Sequence, residues 1–319
     1  MRNDAVEFFR SHNDMTLIAH VSPDGDTLGS CLGLYHALSS AGKRVQVVCS
    51  DPVPATYRIL PGAETVLLPS AARKTAAAAS IDCADIARTG DAKTLFSEAT
   101  DTLNVDHHGT NDSYAKANYV RICAATAELA FEIIRELEIP LNVEIASCLY
   151  TGITTDTGNF AYSNTTPDTF RIAAELLAAG IKLPELNQAL FRTIPLRKLR
   201  LRALAVERAR FACDQRIIVS ALSVADYRAC GATGEDTEGV IDSLRDIDTV
   251  EIAAFLHETE DGAIRVSMRG KRYADVSTIA TKYHGGGHKL AAGCTLHAPL
   301  ETAWDTILEE TCRLLDGEQ

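Results

Sequence analysis

Along the first 180 residues, short apolar runs alternate with helical patterns, and this rhythm restricts the fold more than any other feature. "TLIAH" (Thr16–His20) reads as a strand, "TLGSCLGLYHALSSAG" as a helix stopped at Gly42, and "RVQVVC" (Arg44–Cys49) as the next strand. "AAAASID", ending at Asp82, and "TLNVD" (Thr102–Asp106) supply further strands, and "TAELAFEIIRELEI" is an amphipathic helix. Strand, helix, strand in this order predicts an α/β fold: a parallel sheet with helices on both faces, since a parallel neighbour is reached only by a crossover. Such sheets bind ligands at the carboxyl ends of their strands.

Four clusters of carboxylates and imidazoles fall at or just beyond predicted strand ends. They are "HVSPDGD" (His20, Asp24, Asp26), "SIDCAD" (Asp82, Asp85), "NVDHHGT" (Asp106, His107, His108) and "GITTDTGNF" (Asp156). Each alone has an ordinary explanation. Asp24-Gly25 is a turn signal, Asp26 can cap the helix starting at Thr27, and Asp156 can be a turn residue before Gly158. Pooled in one crevice, however, they would repel and desolvate each other at a cost of several kcal/mol unless cations are present. Asp and His without Cys is the ligand set of Mn²⁺, Mg²⁺ or Fe rather than of structural Zn²⁺. The candidates exceed what one catalytic ion with an open position can take. They suit two ions sharing a bridging carboxylate, an arrangement that activates water and clamps the oxygens of a phosphoryl displacement.

The motifs, in this order and spacing, resemble those of the DHH phosphoesterase superfamily, whose naming triplet stands here as Asp106-His107-His108. The resemblance implies roles: His20 and Asp24 on one metal, Asp26, His107 and Asp156 on the other, and Asp82 bridging. It further implies that His108 faces the substrate phosphate and that Asp106 orients the imidazoles, both counted as catalytic. Asp85 is read as structural.

A basic helical stretch interrupted by Pro195 connects to a second region, where "RIIVSALS", "EIAAFLHET" and "AIRVSMRG" alternate like half-buried strands and "DVSTIATKY" reads as a helix. The predicted organisation is a catalytic domain over 1–180, a helical linker over 181–210 and a smaller α/β domain over 211–319. Within the last, "YHGGGHKLAAG" places three glycines before His288, leaving backbone N–H groups open to an anion. The stretch is similar to the glycine-rich signature of the DHH-associated C-terminal domain. That similarity implies substrate binding by Gly286, Gly287 and His288, and Arg269 is the matching cation. Arg265 and Lys289 read as surface charges.

Composition narrows the class. A net charge of −12 over 319 residues argues against tracking along a long nucleic acid, and nine scattered Cys with no C-x-x-C pair fit a reducing compartment. No apolar run approaches the ~20 residues of a membrane span, and the charged N-terminus does not read as a signal peptide. A cytoplasmic protein without membrane association is expected. With no additional modules, the chain resembles the compact NrnA-type bifunctional oligoribonucleases and 3′-phosphoadenosine 5′-phosphate (pAp) phosphatases. This implies short RNA oligonucleotides of 2–5 nucleotides or nucleotide bisphosphates as substrates, two divalent ions with Mn²⁺ foremost and Mg²⁺ or Fe as alternatives, and a homodimer. The alternatives are a phosphodiesterase of cyclic or linear dinucleotides (cyclic di-AMP or pApA) and a non-catalytic nucleotide-binding regulator.

Overall fold

A computed structural model describes residues 4–237 and 239–317. The chain divides between Thr193 and Ile194 into two units, each with its own sheet.

The first unit runs α1 (Asp4–Ser11), β1 (Asp14–Ile18), α2 (Gly25–Ser40), β2 (Arg44–Val48), β3 (Ala77–Ile81), α3 (Lys93–Glu98), β4 (Asp101–Asp106), β5 (Ala117–Val120), α4 (Thr126–Glu136), α5 (Val143–Asp156), α6 (Pro167–Ala178) and α7 (Leu183–Phe191). Its five strands are all parallel, in the order β2-β1-β3-β4-β5. Alternation along the strands feeds both faces: Met15 and Leu17 join the large core under α1, α2, α4 and α5, while Ile18, Val48 and Ala78 pack with Phe96 of α3 on the other face. The order reverses at β1, which lies between β2 and β3, so the chain leaves β1 and β3 in opposite directions and opens a crevice at their carboxyl ends.

Asp156 departs from the sequence reading. It ends a helix, α5, not a strand. The stretch is rich in β-branched residues and contains Gly152, all poor helix formers, but it is buried continuously from Ile145 to Thr154, and packing overrides propensity.

The second unit runs α8 (Leu196–Arg208), β6 (Arg210–Ala212), β7 (Ile217–Leu222), α9 (Val224–Cys230), α10 (Val240–Arg245), β8 (Ile252–Glu258), β9 (Ile264–Gly270), α11 (Ser277–Lys282), β10 (Gly286–His288), β11 (Ala291–Leu296) and α12 (Leu300–Gly317). Its mixed sheet has the order β10-β11-β9-β8-β7-β6, parallel only between β7 and β8. The glycine run is thus not simply a loop: Gly286–His288 pair antiparallel with Ala291–Gly293 as an edge strand. Gly287, at φ 140°, lets the strands meet, because a Cβ there would lie 2.4 Å from the Ala291 carbonyl oxygen. Of the predicted connector, α7 lies in the first unit and α8, begun after Pro195, in the second.

Candidate metal centre

The residues singled out in the first unit converge at the carboxyl ends of β1, β3 and β4. After β1, His20 is 2% exposed, and its Nδ1 donates to the Val21 carbonyl at 2.7 Å, which leaves Nε2 as its acceptor. Asp24, not Asp26, caps α2: its Oδ1 accepts from the backbone N–H of Asp26 and Thr27 at 3.0 and 3.1 Å. Asp26, in the first turn and 1% exposed, accepts backbone N–H bonds from Thr126 (2.6 Å) and Ala127 (2.9 Å) at the start of α4. Ser30 adds a bond at 3.2 Å.

Asp82 follows β3 in the left-handed region at φ 62°, a conformation disfavoured for most residues with a side chain but better tolerated by Asp. Its Oδ1 accepts from the Thr126 hydroxyl at 2.8 Å. Asp106 ends β4, fully buried. Its Oδ1 accepts from His108 Nδ1 at 2.8 Å and its Oδ2 from the Asn111 amide at 2.6 Å. The sequence reading had Asp106 orienting both imidazoles; it holds only that of His108. His107 Nδ1 donates instead to the Cys123 carbonyl at 3.1 Å, again leaving Nε2 open.

Ligand atoms form three groups: Asp82 joins the group of His20 and Asp24 to that of His107 and His108, and His107 joins the latter to the group of Asp26 and Asp156. In the first, His20 Nε2 lies 3.5 Å from both Asp24 Oδ1 and Asp82 Oδ2. In the last, His107 Nε2 lies 3.4 Å from Asp156 Oδ2 and 3.9 Å from Asp26 Oδ2. The other oxygen of Asp82, Oδ1, is 3.6 Å from His107 Nε2 and 3.7 Å from His108 Nδ1. Two donors each ~2.1 Å from one cation sit roughly 3.0–3.4 Å apart, so these separations suit cations with little rearrangement.

Electrostatics points the same way. Burial, reinforced by Asp82, Asp156 and Asp24, pushes the Asp26 carboxyl well above its ordinary range. Burial also dominates at Asp156 and, with Asp82 and Asp24, outweighs His107 to push it up to about 6. At His20 burial opposes the charged ring, yet hydrogen bonds to Asp24 and Asp82 overcome it and carry the pKa up to about 9. The hydrogen bond to Asp106 raises His108. Crowding that favours protonated groups in this way is crowding that cations would relieve. The donor set of carboxylate oxygens and two imidazole nitrogens fits a pair of hard or borderline divalent ions.

Asp85 accepts from the Ala87 and Arg88 N–H groups at 2.7 and 3.1 Å as the cap of a 3₁₀ turn. In the second unit, Arg269 on β9 and His288 on β10 flank the register pairs Arg269–Ala291 and His288–Ala291, so they line one row of the sheet. Gly286 is exposed, with open space where a Cβ would go.

The sequence reading missed Thr126, which ties Asp26 to Asp82, and Asn111, which holds Asp106. No local signal marks Thr126, because Asp26 and Asp82 lie 100 and 44 residues away in sequence. Asn111, three residues beyond the His-His pair, had only its proximity to recommend it.

Residues 14–153 match the DHH family, N-terminal domain, and residues 214–316 match the DHHA1 domain. The bifunctional oligoribonuclease and PAP phosphatase NrnA of Thermus thermophilus is 36% identical over 296 residues, 92% of this chain and 87% of that protein. A probable bifunctional oligoribonuclease and PAP phosphatase NrnA of Streptococcus mutans is 28% identical, covering 96% of each chain. Among solved structures, an exopolyphosphatase-related protein from Bacteroides fragilis superposes with a TM-score of 0.90 at 25% identity, over 99% of this chain and 98% of that one. By these matches the chain belongs to the DHH family of phosphoesterases, with a DHHA1 domain after its DHH domain.

Proposed function

We propose that this protein hydrolyses oligoribonucleotides of two to five nucleotides to mononucleotides and dephosphorylates pAp to AMP. The observation that carries this reading is the series of ligand groups in which Asp82 sits between His20 and His107, on a chain whose relatives bear the names of both activities. His20 and Asp24 would hold one divalent ion, Asp26, His107 and Asp156 the other, and Asp82 both. Mn²⁺ is the ion proposed, in a cytoplasmic homodimer. When bound, such a pair lowers the pKa of water and neutralises charge on phosphoryl oxygens.

The chain's own groups do the rest. Asp106 accepts from His108 Nδ1 and raises its pKa, favouring the doubly protonated ring whose Nε2–H can donate to a phosphate oxygen as negative charge builds there. Backbone carbonyls fix His20 and His107 in the tautomer that presents Nε2. Arg269, Gly286, Gly287 and His288 would grip the part of the substrate that does not react.

The test is a product assay with Mn²⁺, supplying pApA, cyclic di-AMP, a five-nucleotide RNA, a 24-nucleotide RNA, pAp and pyrophosphate, with His107→Ala as the blank. Mononucleotides from the short RNAs and phosphate from pAp, both lost in the blank, are expected. Hydrolysis of pyrophosphate alone would overturn the proposal, and tight nucleotide binding without turnover would replace it with a regulatory role.

A further inference from the structure

Strand β9 carries two arginines on one face. Arg265, Ser267 and Arg269 alternate with the buried Ile264, Val266 and Met268. Arg269 belongs to the substrate reading above; Arg265 does not. Four residues apart, their Cα atoms are separated by about 13 Å along the strand.

Arg265 opens onto a cavity of about 640 Å³, lined among others by His257, Ser267, His284, Thr295 and His297. No Asp or Glu lines it, although the chain has 43 acidic residues against 31 basic. Sheet register fixes the arrangement: Arg265 lies opposite both Thr295 of β11 and His257 of β8, and Ser267 lies opposite Gly293. Gly293 adds no side chain, so the floor beside Ser267 stays low.

Arg265 makes no ion pair: among the described residues no carboxylate comes within ion-pairing distance of it. Glu258 and Glu260 do line an adjoining cavity with it, and its charge, after the Thr259 hydroxyl and the Ala263 N–H, helps hold the Asp261 carboxyl low. The nearby acids are engaged elsewhere. Glu258 accepts from the Val224 N–H at 3.0 Å, Glu260 pairs with Arg228 at 2.9 Å, and Asp261 is bonded by the Thr259 hydroxyl. His257 also has a buried Nδ1 with no hydrogen-bond partner, an exception among buried polar atoms that a ligand or an ordered water would relieve.

A pocket lined by one guanidinium without an ion pair, three imidazoles and the hydroxyls of Ser267, Thr295 and Tyr283, with no carboxylate in its own lining, has the chemistry of an anion site. We propose that it is a second phosphate subsite, which takes a further phosphodiester of an oligonucleotide beyond the group held by Arg269 and His288. The proposal rests on the oligonucleotide reading given above. It gives Arg265 a role in chain-length preference: a dinucleotide leaves the subsite empty, and a longer chain fills it.

The test compares wild type with Arg265→Gln and, separately, His284→Ala, on pApA and on a five-nucleotide RNA at several salt concentrations. Both positions are exposed, so the variants should fold. For Arg265→Gln, the KM for the five-nucleotide RNA should rise roughly ten-fold and the slope of log affinity against log salt should fall by about one. For His284→Ala a smaller rise is expected. Kinetics on pApA should stay within about two-fold of wild type for both variants, since that substrate does not reach the subsite. Unchanged KM and salt slope on the five-nucleotide RNA, with wild type active on both substrates, would overturn the subsite and leave the activity standing. An equal loss on both substrates would also overturn it, because the contact would then be to a group that both share. Wild type inactive on both would instead remove the oligonucleotide reading, and the subsite with it.

Discussion

Gly29 of α2 and Gly152 of α5 cross almost backbone to backbone: a Cβ on Gly29 would lie 2.8 Å from the Gly152 nitrogen and 2.4 Å from the Cys148 carbonyl oxygen. This contact presses α5 onto α2, so the end of α5 can deliver Asp156 beside Asp26. Gly152 also faces the site, since a Cβ there would fall 2.9 Å from Asp26 Oδ1. In an exposed helix Gly→Ala stabilises by ~1 kcal/mol. Here Gly29→Ala should destabilise by about 1–3 kcal/mol, because the obstructing atoms are backbone and the helices must part. Denaturant midpoints of the two proteins measure this, and a more stable variant would contradict the crossing.

Asp82 belongs to two of the three candidate ligand groups, those of His20 and of His108, so its loss should be felt twice. Asp82→Asn keeps the shape but removes the negative charge and leaves one neutral oxygen donor in place of two. Activity should fall by at least ~10³-fold, comparable to removing a principal catalytic group. The metal response should change as well. Mn²⁺ added to chelated wild type should raise Tm, because ions that bind the folded centre relieve its crowded carboxylates. In the variant that rise should shrink to less than half. Calorimetry with and without chelator reads both proteins, and an undiminished rise would take Asp82 out of the metal centre.

How far the sequence alone revealed this site depended on how local each signal was. The candidate ligands that follow β1, β3 and β4 stand out in the sequence because strand ends align in a parallel sheet, and each motif sits directly after an apolar run. α5 was not legible. "VEIASCLYTGITTD" is buried on nearly every side, so it shows no polar stripe, and Asp156 was placed at a strand end for want of a helical period. The edge strand at Gly286–His288 was hidden for another reason. Glycine has little strand preference, and the close approach to Ala291 that favours it exists only in the folded sheet.

In the second unit, Glu251 is fully buried yet well supplied with partners. It accepts from the N–H groups of Arg272 (3.0 Å), Tyr273 (2.8 Å) and Ala274 (3.2 Å), and from the Arg272 guanidinium at 3.1 Å. Burial alone would raise its pKa, but these donors outweigh burial and hold it below the ordinary value. A depressed folded pKa means stability that is complete above the unfolded pKa and is lost as pH falls through the folded one. The contribution should therefore be full at pH 7 and decay below about pH 4.5. Glu251→Gln should cost about 1–3 kcal/mol at neutral pH, with the gap to wild type closing in acid. Urea titrations from pH 3 to pH 7 would show it; a gap that does not depend on pH would refute the charged-acceptor account.

Thr126 offers the sharpest separation of binding from chemistry. Its hydroxyl donates to Asp82 Oδ1 at 2.8 Å, while its backbone N–H holds Asp26 at 2.6 Å. Thr126→Val deletes the first bond and preserves the second, with nearly the same shape. The position is fully buried, so some stability should go too, about 1 kcal/mol for one hydrogen bond. The functional effect should be larger and specific. With Asp82 freed to rotate, the Mn²⁺ concentration giving half-maximal activity should rise roughly 10–100-fold, the range for partners that orient metal ligands. At saturating Mn²⁺, most of the turnover should return, because the ions themselves then hold the carboxylate in place. Thr126→Ser, which restores the hydroxyl, should recover the metal affinity to within a few-fold of wild type. A turnover defect that saturating Mn²⁺ leaves untouched, in Val and Ser variants alike, would mean that Thr126 acts through packing and not through Asp82.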